Sequence, residues 1–76
     1  MNESDWIDIF GDNLVDILKE ANMTQRELAD ATGLSEASIS RYVHKQTAPS
    51  IFAVINIAYA LNCTVDDLVD FGGMIK

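Results

Sequence analysis

Positive charge is scarce in this chain. Its 76 residues carry five lysines and arginines against twelve aspartates and glutamates, a net charge of −7. That balance excludes a basic tail able to hold polyanions through counterion release alone. With one cysteine, Cys63, the chain can form no intrachain disulfide and no cysteine-based zinc site, and it fits a reducing cytosol. Its one histidine, His44, gives no carboxylate–histidine spacing for a metal, and Gly72-Gly73 make no phosphate loop, so neither an enzyme nor a cofactor is expected. No apolar run reaches the ~20 residues of a membrane span, and no basic start followed by an apolar stretch resembles a signal peptide. The expectation is a soluble, cytoplasmic protein. Strand-like alternation, internal repeats and low-complexity segments are missing as well.

What is present is helical punctuation in a single small domain over residues 1–76, with its core at about residues 8–71. Residues 1–4 read as a loose end. Ser4 or Asp5 then caps a first helix with Trp6, Ile7, Phe10, Leu14, Ile17, Leu18 and Ala21 at helical spacing, which Gly11 kinks or interrupts. Asn22 tolerates the left-handed conformation that ends it. Thr24 with Glu27 forms a capping box, Leu28 and Ala29 face inward, and Gly33 ends the second helix. Leu34 plugs the turn, Ser35 caps a third helix, and Ile39, Tyr42 and Val43 give that helix its buried stripe. Pro49-Ser50 then halts the chain and caps a fourth helix, Ile51 to Leu61. Asn62 closes it, and Thr64 with Asp67 starts a fifth helix reaching about Phe71, where Gly72-Gly73 end it.

Residues 24–45 thus read as two short helices around a tight turn, the layout of a DNA-reading helix-turn-helix. Gln25, Glu27, Leu28, Ala29, Gly33, Ser35, Ile39, Ser40 and Arg41, followed by Pro49-Ser50 and by Ala58, Leu61, Val65, Asp66 and Leu68, resemble the Cro/repressor family, also called Xre. The resemblance spans about residues 10–70. It implies an all-α, compact five-helix bundle of the lambda-repressor-like type, with the helix-turn-helix at helices 2 and 3, binding operators as a dimer to regulate transcription. The family commonly pairs an arginine in the first helix with a glutamate at the end of the reading helix. Here Leu18 and Val43 stand at those positions, an apolar replacement that spares the desolvation of two charges. Lys45 stands where the family commonly has glycine.

With Ile39 turned into the core and ~100° per residue, Ala37, Arg41 and His44 fall on the opposite face, flanked by Ser38, Ser40 and Lys45. The family places base contacts at the positions of Glu36, Ala37 and Arg41. Arg41 can donate to O6 and N7 of a guanine, Ala37 can touch a thymine methyl, and Glu36 can accept from a cytosine amino group. The family also uses a glutamine at the position of Gln25 to hold a phosphate. Arg26, Ser35, Ser38, Ser40, His44, Lys45 and Thr47 are further phosphate candidates. The bland reading of each is a polar surface residue, and of Glu36 a first-turn acid facing the helix dipole.

Charge distribution matters more than its sum. Residues 24–47 hold Arg26, Arg41 and Lys45 against Glu27, Asp30 and Glu36, whereas the rest holds Lys19 and Lys76 against nine acids. The fourth helix is apolar on two sides: Val54, Ile57, Ala58 and Leu61 supply a core stripe, and Phe52, Ile55 and Tyr59 form another. That second face is covered either by Trp6 and the tail residues Phe71, Met74 and Ile75, or by a homodimer partner whose interface would use Phe52, Ile55, Tyr59, Met74 and Ile75. The expected function is a sequence-specific double-stranded DNA-binding regulator, a repressor of phage or plasmid type on two half-sites, with no small-molecule ligand and no membrane partner. The rival is a protein-interaction module on the same fold, an antitoxin subunit or anti-repressor, too acidic for DNA.

Overall fold

Five short polar side chains start five helices. In the computed structural model, which describes residues 1–70, Asn2, Thr24, Ser35, Ser50 and Thr64 each accept from the amide three residues on. The helices that follow are α1 (Glu3–Ala21), α2 (Gln25–Thr32), α3 (Glu36–Val43), α4 (Ile51–Ala60) and α5 (Val65–Leu68), with no strand among the described residues. One such cap is worth about 1 kcal/mol. The architecture is the all-α, five-helix bundle that the sequence implied.

Three local expectations are corrected. α1 starts at Glu3, not after a cap at Ser4 or Asp5, because Asn2 and Asp5 form a full capping box. Asn2 Oδ1 accepts from the Asp5 amide at 2.9 Å and the Asp5 carboxylate accepts from the Asn2 amide at 3.2 Å. α5 ends at Leu68 rather than near Phe71. The reason lies in α1: Asn13 Nδ2 donates to the carbonyls of Leu68 at 2.9 Å and Asp70 at 3.0 Å, taking up groups that another helical turn would have used. Phe71 and Gly72-Gly73 lie outside the described residues. The third correction concerns Gly11, which does not interrupt α1: the helix runs unbroken from Glu3 to Ala21.

Three helix ends, those of α1, α3 and α4, follow one pattern. Asn22, Lys45 and Asn62 have φ of 54°, 61° and 54°, and after each the next amide donates five residues back: Met23 to Leu18, Gln46 to Arg41 and Cys63 to Ala58, at 2.8–3.0 Å. These are Schellman closures without glycine. Asparagine takes the left-handed conformation readily, whereas for lysine it costs roughly 1–2 kcal/mol. Gly33, at φ 76°, ends α2 with a single bond to the Ala29 carbonyl.

The core joins Phe10, Leu14 and Leu18 of α1, Leu28 and Ala29 of α2, Ile39 of α3, Val54, Ile57 and Ala58 of α4, and Leu61 and Leu68. α1 packs on α3 and α5, α2 on α3 and α4, and α4 on α5. Trp6 meets Phe10 with ring centroids 5.4 Å apart and planes tilted by 53°, and Phe10 meets Tyr42 edge-on at 5.9 Å. Trp6 therefore packs against the core through Phe10 of its own helix, and Phe52, Ile55 and Tyr59 stay exposed.

Gly11 is buried because α1 and the end of α3 meet there. A Cβ added to it would lie 2.9 Å from the Tyr42 carbonyl oxygen and 2.9 Å from Lys45 Cγ. The backbone oxygen cannot retreat without moving α3. Gly11→Ala gains ~1 kcal/mol of helix propensity and loses roughly 1–3 kcal/mol to overpacking. The expected outcome in thermal unfolding is a lowered melting temperature; an unchanged or raised one would show that the helices can separate freely.

Candidate nucleic-acid interface

Between α2 and α3 the chain turns on Gly33-Leu34-Ser35, and side chains on both sides of the turn bind its backbone. The Thr32 hydroxyl donates to the Leu28 carbonyl at 2.8 Å and accepts from the Leu34 amide at 3.2 Å. Asn56 Nδ2 of α4 donates to the Thr32 carbonyl at 2.8 Å. Sequence patterning does not reveal Asn56; its signal is a lone amide in an otherwise apolar helix. Ile39, at 0% exposure, then fixes the rotation of α3 and turns Ala37 and Arg41 to solvent. Glu36 is exposed in the first turn.

Ser35 Oγ accepts from the Ser38 amide at 3.1 Å and donates to the Ser38 hydroxyl at 2.9 Å, so these two phosphate candidates form one cluster. At the other end of α3, His44 Nδ1 lies 2.8 Å from the Ser40 carbonyl and 3.2 Å from its hydroxyl. A carbonyl only accepts, so Nδ1 carries the proton and Nε2 is left as an acceptor in the neutral ring. Arg26, Arg41 and Thr47 are exposed, and neither arginine makes an ion pair among the described residues. Gln25 is half-buried and lines a cleft of about 480 Å³ with Val15, Leu18, Met23 and Val43. The first turn of α2 therefore sits beside the last turn of α3. Leu18 and Val43 both line that cleft and give it apolar walls.

The α2 N-terminus is open to an anion. Thr24 takes the amide of Glu27 through its hydroxyl at 3.0 Å and that of Leu28 through its carbonyl at 3.0 Å, leaving Gln25 and Arg26 without an intrahelical acceptor. Lys45 points elsewhere: its Nζ lies 2.8 Å from Asp12 Oδ1 of α1. The hydrogen bond to Asp12 raises its pKa, and Asp8 adds to the effect. Cys63 is half-buried, and burial pushes its thiol up, with the charge of Asp67 adding to that. It is no activated nucleophile.

This geometry has a counterpart among protein families: a model of the helix-turn-helix family matches residues 14–68. The chain belongs to the Cro/repressor, or Xre-like, helix-turn-helix family. Comparisons with curated proteins and with solved structures return no match. The family is one of DNA-binding regulatory domains, and this chain is a DNA-binding helix-turn-helix regulator in that general sense. No helix of the described residues is long and apolar enough to cross a membrane.

The α2 capping box also sets a pH dependence. The Glu27 carboxylate accepts from the Thr24 amide at 2.9 Å, and that bond, followed by the Thr24 hydroxyl, holds its pKa below the usual carboxylate range. A depressed folded pKa contributes stability above the unfolded value and loses it as pH falls through the folded one. Glu27→Gln is expected to flatten this part of the acid limb in unfolding series. An unchanged acid limb would show that the box does not hold the charge.

Proposed function

We propose that the protein is an operator-binding transcriptional repressor of phage or plasmid type that occupies two half-sites as a twofold dimer. The observation that carries this reading is the exposed Arg41 and Ala37 on α3, opposite a fully buried Ile39. In it, Arg41, Ala37 and Glu36 contact bases. Gln25 and Arg26 at the start of α2, with Ser35, Ser38, Ser40, Thr47 and the Nε2–H that His44 offers when its ring is protonated, hold phosphates and set register.

The dimer face is on α4. Ile51, Phe52, Ile55 and Tyr59 share one side of that helix and are 52–87% exposed. Ile51 joins the face because it lies one turn before Ile55. A contiguous apolar patch on so small a chain supports self-association, and a twofold contact would use the same patch on both copies. The reading helices would then lie about 34 Å apart, one turn of DNA. Met74 and Ile75, the other proposed interface residues, lie outside the described residues.

A protein-interaction module remains a second reading, favoured by the net charge of −7 and by the engagement of Lys45 with Asp12. The two readings part on Arg41. Arg41→Ala is expected to cost roughly 1–3 kcal/mol on the preferred duplex and to relax one base pair per half-site. Gln25→Ala is expected to weaken preferred and scrambled duplexes alike. Equal loss on both duplexes for Arg41→Ala would reduce it to a phosphate contact, and no binding by the unaltered protein at low salt favours the interaction module.

Self-association has its own measurement. Ile55→Asp is expected to lower dimer stability by about 1.5–3 kcal/mol per buried isoleucine and to weaken operator binding in parallel, as followed by sedimentation and duplex titration. A protein that stays monomeric at millimolar concentration and binds one half-site as well as two would sink the dimer.

A further inference from the structure

Lys45 is placed by more than its charge. It occupies the left-handed position of the α3 Schellman closure, φ 61°, where glycine is unstrained. Its stem runs over Gly11, at the spot where a Cβ would come within 2.9 Å of Lys45 Cγ. Its ammonium ends 2.8 Å from Asp12 Oδ1, with Asp8 one helical turn before it. Neighbouring residues of α1 thus provide a seat for the stem and an anion for the head. Both partners are substantially exposed, at 37% and 68%, so water competes with the pair and its contribution to stability is small. Its consequence falls on the neighbouring reading helix.

From this seat we infer that Asp12 clasps Lys45 to α1 and withholds its ammonium from the DNA backbone. Lys45 then acts as a positioning residue at the end of α3. It becomes a phosphate ligand only when Asp12 is neutralised. The inference rests on the DNA-binding reading and adds to it: an acid on α1 sets how many phosphates each subunit neutralises. A carboxylate and a phosphate compete for one ammonium, and the carboxylate is already in place.

Salt dependence counts such cations, because each neutralised phosphate contributes about 0.9 to the log–log slope on duplex DNA. The test compares the unaltered protein, Lys45→Met, Asp12→Asn and the double variant on a duplex titrated at several salt concentrations. Lys45→Met is expected to leave the slope unchanged in the unaltered background. Asp12→Asn steepens it by about 0.9 per subunit, and adding Lys45→Met removes that gain. The same loss from Lys45→Met in both backgrounds, or none in either, overturns the inference. In the DNA-free protein, the Lys45 amine followed by NMR should titrate above its ordinary value and return towards it in Asp12→Asn. Identical titration in the two proteins also overturns the clasp. Failure of all four proteins to bind at low salt takes down the DNA reading itself, whereas binding with unchanged slopes takes down this inference alone.

Discussion

The burial of Ile39 is the constraint on which the rest depends. α3 has only eight residues, and Ile39 is its fully buried member. A rotation of α3 that exposed this side chain would give up ~1.5–3 kcal/mol, a large share of the stability of so small a domain. The face opposite Ile39 is therefore fixed in direction, and the polar bonds around it reinforce the setting. Asn56 holds the end of α2, Ser35 the start of α3, and the Gly11 contact the end of α3. Arg41 projects from a helix held at both ends.

Charge works against this arrangement from a distance. Asp8, Asp12, Asp16 and Glu20 recur every fourth residue along α1 and are all exposed, so they line one ridge. The field of that ridge opposes a polyanion and is screened by salt over about 10 Å at 0.1 M. Its nearest cation is the ammonium of Lys45. Specificity would then come from bases more than from phosphates.

Much of the fold was legible because short polar caps and left-handed residues are local signals. Thr24 with Glu27, Gly33, Ser35, Pro49-Ser50, Asn62 and Thr64 with Asp67 all mark real boundaries. So was the two-sided character of α4, since Val54 and Ile57 are buried while Phe52, Ile55 and Tyr59 are exposed. What patterning did not give depends on contacts distant in sequence. The end of α5 is set by Asn13, 55 residues before Leu68. Gly11 reads as a kink along the chain and is a point of close approach in space. Of the candidate site, helical periodicity gave the exposed face of Ala37 and Arg41, whereas the pairing of Lys45 with Asp12 required the tertiary structure.

Selection of bound sequences from a random duplex pool tests the central claim most directly. A twofold-symmetric sequence with half-sites about 34 Å apart, one helical turn, is expected to be enriched. Recovery of an unenriched pool at low salt, with no duplex retained above background, would contradict it.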